Sequence, residues 1–159
     1  MTTVAQQLAE RLKAFNDELI RFVQSLDADA WQKTCAGENW PINVVARHIG
    51  VTHYRAVDLA KLVAAGQPLP DFTYAQIDAM NKDHAAKHTQ CTKEEVLDIL
   101  QKQGAAMVDH VSGLDDAALN RTATVAALGG TFSAKQILEA MVIQSGTEHL
   151  ENMKRAAGA

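Results

Sequence analysis

The chain has 159 residues, of which 47% are hydrophobic and 21% are charged, and its formal net charge is -4. This length suits one domain, residues 1–159, that buries roughly 70% of the surface its unfolded chain exposes. The negative charge and the scattered Lys and Arg residues argue against nucleic-acid binding. The charged N-terminus does not resemble a signal peptide, and no stretch approaches the ~18 apolar residues of a membrane span, so we expect a cytoplasmic protein without a membrane role.

The first predicted helix begins after Thr2 or Thr3 and extends to about Leu26. Apolar residues recur there at helical spacing, and charged residues occupy the opposite face. The apolar stripe consists of Val4, Leu8, Leu12, Phe15, Leu19, Phe22, Val23 and Leu26. Residues 27–39 are rich in turn formers and read as a loop that can hold one helical turn near residues 30–33.

The second predicted helix opens at residues 39–41, where Pro41 fits the first helical turn without losing a hydrogen bond. Its inward stripe contains Val45, His48, Thr52, Ala56, Leu59 and Val63. Two prolines within residues 66–70 end the helix. On an ideal α-helix His53 lies about 140° around from His48, so we expect His53 to face solvent or a partner subunit.

A short, polar helix is predicted between residues 71 and 90, and a third long helix follows it. Thr92 and Glu95 have the spacing of a capping box, in which each side chain binds a free backbone N–H of the other residue. The stripe of the third helix contains Val96, Leu100, Gln103, Met107, Val111 and Leu114. In residues 121–128 the alternation is too weak to predict a strand, and Gly129-Gly130 ends this connection.

The last helix begins near Ser133, which forms a second capping-box pattern with Gln136. Its inward stripe contains Leu138, Met141, Val142, Ser145, His149 and Met153. The stripe therefore becomes polar at Ser145 and His149, as the stripe of the second helix does at His48. A buried polar group needs a hydrogen-bond partner, so we expect these side chains to meet something inside the fold.

Four long amphipathic helices, with extended connections between the second and third and before the last, predict an all-α four-helix bundle. Gly146 lies inside the last helix, where glycine costs about 1 kcal/mol relative to alanine and indicates a close approach. The approaching helix can belong to the same bundle or to a second subunit. A homodimer is our expectation for a small soluble protein of this kind.

Several short motifs in this order resemble the DinB-like superfamily, which includes YfiT-type proteins and mycothiol-dependent maleylpyruvate isomerases. The motifs are Trp40, Ala46-Arg47-His48-Ile49, Thr131-Phe132-Ser133 and Glu148-His149-Leu150. The resemblance covers nearly the whole chain and implies a divalent metal, zinc or nickel, in the bundle. Its ligands would be a histidine of the second helix, matching His48, and a pair four residues apart on the last helix, matching Ser145 and His149. It also implies a transferase, isomerase or hydrolase reaction on a small molecule.

Serine at position 145 departs from that ligand pattern. A neutral hydroxyl is a poor ligand, and two imidazoles alone rarely hold zinc or nickel. On an ideal helix Gln144 points about 100° away from Ser145, and Glu148 points about 100° away from His149, so neither residue replaces Ser145 cleanly as a ligand. Two interpretations stay open: a degenerate metal site at His48 and His149, or a metal-free binding module without enzymatic activity. In either case Thr52, Gln144 and Ser145 are candidate pocket residues.

A second possible metal-binding string is His84, His88 and Cys91, at spacings i, i+4 and i+7. It lies in a polar segment next to the Thr92 cap, so a solvated helix face or the rim of a pocket is the alternative reading. Cys91 and the other cysteine, Cys35, are expected to be free thiols in a reducing compartment.

Overall fold

The computed structural model describes residues 1–158, and the prediction of an all-α bundle is confirmed. Four long helical segments form the bundle, and two short β-hairpins lie in the connections between them. Over residues 1–158 none of the helices combines the length and apolar character needed to cross a membrane.

The helices and strands alternate along the chain in a simple order. The helices are α1 (Val4–Ser25), α2 (Ala28–Trp31), α3 (Ile42–His48), α4 (Ala56–Ala64), α5 (Tyr74–Lys87), α6 (Lys93–Ser112), α7 (Asp116–Asn120), α8 (Ala134–Leu138) and α9 (Ser145–Ala157). The antiparallel hairpins are β1 (Thr34–Cys35) with β2 (Trp40–Pro41), and β3 (Thr122–Val125) with β4 (Gly130–Ser133). The bundle helices are α1, α3 with α4, α6, and α8 with α9.

Side-chain caps set most helix starts where the sequence indicated them. The capping box at Ser133 and Gln136 forms in both directions, so the predicted start of the last helix is confirmed. Thr92 also caps α6 by accepting a 3.1 Å hydrogen bond from the Glu95 N–H. The Glu95 carboxylate, however, binds Arg47 at 3.2 Å, so only half of the predicted Thr92–Glu95 box forms.

The core lies between α1 and α6, which pack along each other, and the two segmented helices. A buried Asn16 on α1 joins three parts of this core. Its side-chain amide donates to the Leu100 carbonyl at 3.1 Å, and its oxygen accepts from the Tyr54 hydroxyl at 2.6 Å. Gly104 of α6 lies directly against the Asn16 amide and leaves no room there for a Cβ atom.

Two π-helical turns interrupt the bundle helices, and the sequence patterns did not reveal them. The first, Ile49–His53, joins α3 to the stretch before α4, and the second, Glu139–Gln144, joins α8 to α9. Within the first turn the Tyr54 N–H donates to the Ile49 carbonyl five residues earlier, at 3.0 Å. A π-turn contains one residue more than an α-turn. The side chains that follow it therefore point to a different side of the helix from the one that an uninterrupted α-helix would give them.

The second π-turn corrects the stripe predicted for the last helix. Beyond this turn the buried residues of the helix are Gly146, Leu150 and Met153, so the buried face is displaced by one position from the predicted Ser145 and His149. Gly146 lies against Phe15 of α1, where a Cβ would come within 2.6 Å of the ring. The close approach at Gly146 is therefore a contact within the chain, the first of the two alternatives.

The connections hold more structure than their sequences indicated. The hairpin of β3 and β4 pairs Thr122 with Ser133, although the alternation there was too weak to predict a strand. Residues 27–39, read as a loop, contain α2, β1 and the turn that leads to β2. The short helix predicted in residues 71–90 is present as α5, which is described over its full length and buries none of its residues.

Candidate metal centre

Three histidines from two bundle helices converge inside the fold. His48 ends α3, His53 ends the first π-turn, and His149 lies in the middle of α9. The Nε2 atom of His53 is 3.2 Å from Nε2 of His48 and 3.1 Å from Nε2 of His149. All three ligand atoms lie within 4.8 Å of one another, and His48 is only 4% exposed. We call these three residues the histidine triad.

The expectation that His53 faces solvent or a partner is wrong, and the π-turn is the reason. On an α-helix residues five apart point in different directions, but the π-turn closes its hydrogen bonds at i+5 and brings residues five apart onto one side. The rings of His48 and His53 consequently lie with their centroids 4.8 Å apart. The prediction failed because sequence periodicity carries no direct sign of a single π-turn.

The outer nitrogens of two triad rings are engaged by fixed acceptors. His53 Nδ1–H donates to the Met141 carbonyl at 2.6 Å, and His149 Nδ1–H donates to Glu38 Oε1 at 3.0 Å. A carbonyl or carboxylate oxygen can only accept, so it places the proton of each neutral ring on Nδ1. When both rings are neutral, the Nε2 lone pairs of His53 and His149 point at each other across 3.1 Å.

Two lone pairs facing each other at that distance repel unless a cation or proton lies between them. Burial, reinforced by the neighbouring histidines, lowers the pKa of His48 to about 2, and burial together with His149 lowers the pKa of His53 to about 4. These two rings are therefore uncharged at neutral pH. Neutral imidazole is the form that binds a metal, and a divalent ion would replace the lone-pair repulsion with three coordinate bonds.

Glu38 reaches the triad from the turn between β1 and β2. The turn closes with the Asn39 N–H donating to the Cys35 carbonyl at 2.9 Å, and Asn39 has a left-handed φ of 57°, which asparagine tolerates. The Glu38 side chain is 8% exposed, and besides His149 it accepts from the Asn152 amide of α9. Carboxylates that hold the outer N–H of a metal-binding histidine fix its ring and raise its basicity.

Glu38 also affects the neighbouring thiol. Burial, followed by the negative charge of Glu38, raises the pKa of the Cys35 thiol to about 12. Glu38 was not among the site residues predicted from the sequence. The hairpin that carries Glu38 consists of two-residue strands, which are too short to leave a recognisable pattern.

The other residues that the sequence analysis named differ in how deeply they are buried near the triad. Ser145, the residue at the position of the middle ligand, is half-buried, and the third histidine beside His48 and His149 is His53. Thr52 is half-buried next to His53, whereas Gln144 is exposed. Trp40 packs the edge of its ring against His48, with ring centroids 5.3 Å apart.

His84, His88 and Cys91 lie in two different environments. The rings of His84 and His88 lie 4.9 Å apart on α5, and His84 approaches His48 with centroids 5.8 Å apart. Cys91 instead turns into the core, where its thiol donates to the Asn43 carbonyl at 3.4 Å. The three residues therefore do not combine as one set of ligands.

Comparison with known proteins gives one result. The family model of the DinB superfamily matches residues 5–151. The chain matches no curated protein and no solved structure.

Proposed function

Because the chain belongs to the DinB superfamily, we propose that it is a metal-dependent enzyme acting on a small molecule, with the histidine triad as its metal centre. The observation that supports this proposal is the orientation of the rings of His53 and His149. Their Nδ1 atoms are held by Met141 and Glu38, and one ring nitrogen from each of His53, His149 and His48 lies within 4.8 Å of the other two.

Three imidazoles suit zinc or nickel, and they leave one position of a tetrahedral ion for a substrate, which is the pattern of catalytic zinc sites. When bound, such an ion supplies a Lewis acid at neutral pH. Transfer, isomerisation and hydrolysis are the reactions that this chemistry and the family resemblance favour.

The residues around the triad would hold the rings in place during the reaction. Met141 and Glu38 keep His53 and His149 in one tautomer, so neither ring can exchange its outer proton while these hydrogen bonds last. The Glu38 charge offsets part of the positive charge of a bound ion. Trp40 and the surrounding core limit access of water to His48.

The test is metal binding by protein purified without a metal-chelating tag. We expect about one zinc or nickel ion per chain by mass spectrometry of the bound metal. His53→Ala should weaken zinc binding by at least about 100-fold, because two imidazoles hold the ion poorly. Ser145→Ala is the matched control and should bind zinc like the parent. Cobalt-substituted protein should change its visible spectrum when a small ligand is added, as an open coordination position requires.

Two results would contradict the proposal. If the parent binds no metal after incubation with zinc or nickel, the alternative of a non-enzymatic small-molecule-binding module is favoured. If Ser145→Ala loses the metal and His53→Ala keeps it, the ligand set proposed here is wrong.

A further inference from the structure

His84 of α5 lies beside the triad but does not belong to it. Its ring centroid lies 5.8 Å from that of His48, whereas the triad rings lie between 4.8 and 5.5 Å from one another. Both ring nitrogens of His84 are shielded from solvent, and neither has a hydrogen-bond partner within residues 1–158. A shielded polar atom without a partner in the chain calls for one from outside it.

The position of His84 on α5 indicates where its missing hydrogen-bond partner would lie. Helix α5 is described over its full length and buries none of its residues, and its Tyr74 and Met80 side chains are largely exposed. A core-packing role is therefore a poor explanation for the inward position of His84, since α5 contributes no residue to the core. The ring tilts by 52° relative to His48, so the two rings do not stack in parallel. His84 thus presents polar atoms at the edge of the metal centre.

We propose that His84 contacts the ligand that occupies the open position of the metal centre, an inference that rests on the proposed function above. An imidazole offers one donor and one acceptor when it is neutral. The ligand it fits is a small molecule with two polar groups: one that reaches the triad metal, and a second, a few atoms away, that exchanges a hydrogen bond with His84. Hydroxamic and α-hydroxycarbonyl compounds have this arrangement.

The experiment uses the full chain loaded with cobalt, and acetohydroxamic acid as the probe. This probe can bind the ion and still present an amide N–H and oxygen atoms to a neighbouring group. The dissociation constants for cobalt and for the probe are measured from the visible spectrum. The variants are His84→Ala and His84→Phe, which keeps the volume of the ring without its nitrogens, and the matched control is His88→Ala on the same helix.

We expect both His84 variants to bind cobalt within about twofold of the parent but acetohydroxamic acid about tenfold more weakly, as the loss of one hydrogen bond predicts. His88→Ala should leave both constants unchanged. Probe binding that is unaffected in His84→Ala, or restored in His84→Phe, would overturn the inference while leaving the metal centre intact. Loss of cobalt in His84→Ala, to the degree expected for His53→Ala, would make His84 a metal ligand instead and would also overturn it. A parent that gives no cobalt spectrum defeats the proposed function itself, and this inference with it.

Discussion

At the scale of single residues, the triad depends on groups that do not touch the metal position. Glu38 accepts from the outer nitrogen of His149 and from Asn152, so it links the turn between β1 and β2 to two residues about one helical turn apart on α9. Its second oxygen, Oε2, is shielded and has no hydrogen-bond partner within residues 1–158. A carboxylate in such surroundings is costly, and a nearby cation would offset that cost.

Replacing Glu38 by Gln should lower zinc affinity by about 10- to 100-fold, because the outer partner of a histidine ligand loses its charge while keeping an oxygen in place. Isothermal titration with a competing chelator measures this change. Glu148→Gln is the matched control, since Glu148 is an exposed neighbour of His149 on the same helix and should have no effect. Equal affinities for the Glu38 variant and the parent would show that the Glu38 contact does not tune the ligand.

The close contact between Gly104 and the buried Asn16 contributes to the stability of the core. Gly104→Ala would displace the Asn16 side chain, which holds hydrogen bonds to Leu100 and Tyr54. We expect a loss of about 2–4 kcal/mol in the free energy of unfolding, measured by urea denaturation, because overpacking adds to two broken buried hydrogen bonds. Gly113→Ala, where the nearest atom lies 3.6 Å from the added Cβ, should change it by less than about 0.5 kcal/mol. A Gly104→Ala protein as stable as the parent would contradict this account of the Asn16 contacts.

At the scale of secondary-structure elements, the bundle helices differ from α5 in what they bury. Helix α6 places Val96, Leu100, Met107 and Val111 in the core, whereas α5, described from end to end, contributes no buried side chain. Packing of an apolar face supplies most of the stability of a helix in a protein. Helix α5 therefore depends on its Thr73 cap and on its contacts with α3.

Hydrogen exchange should separate these two classes of helix. We expect the amides of α5 to exchange through local opening, much faster than the α6 amides near Leu100 and Met107, which should open only with the whole protein. Exchange followed by mass spectrometry of peptides measures both in one experiment, with α6 as the internal reference. Equal protection of α5 and α6 would mean that α5 is held more firmly than its exposed side chains indicate.

The two π-turns show where reading the elements from sequence succeeded and where it stopped. The starts at Thr92 and Ser133 were recognisable because capping is local chemistry within four residues. The π-turn at Ile49–His53 was not, because it is accommodated by tertiary packing: Gly50 within it lies against Ile99 and Leu100 of α6. The additional residue in this turn places His53 on the same side as His48, where it joins the triad.

At the scale of the whole molecule, both thiols lie inside the fold. Cys35 is fully buried and Cys91 is 6% exposed, and both are free. Burial first, and then Glu38, raises the pKa of Cys35 to about 12; burial first, and then Glu95, raises the pKa of Cys91 to about 11. Since the thiolate is the reactive form, a raised pKa leaves little of it at pH 8.

Both cysteines should therefore resist Ellman's reagent in the native protein. At pH 8 we expect a reaction at least about 100-fold slower than in guanidinium chloride, where two thiols per chain should react at once. The denatured sample is the control, because it contains the same thiols without the fold. A native thiol that reacts as fast as the denatured one would show that its part of the core is open to solvent.

Apolar periodicity and helix caps act between residues a few positions apart, so the all-α bundle, the starts of the third and last long helices, and two of the histidines that meet inside the bundle could be predicted from the sequence. The other groups of the centre are brought there by packing between distant segments. His53 enters it through a π-turn packed against α6, Glu38 through a turn between two very short strands, and His84 through the position of α5 over His48. These placements depend on contacts between segments far apart in the chain, and local sequence patterns do not indicate such contacts.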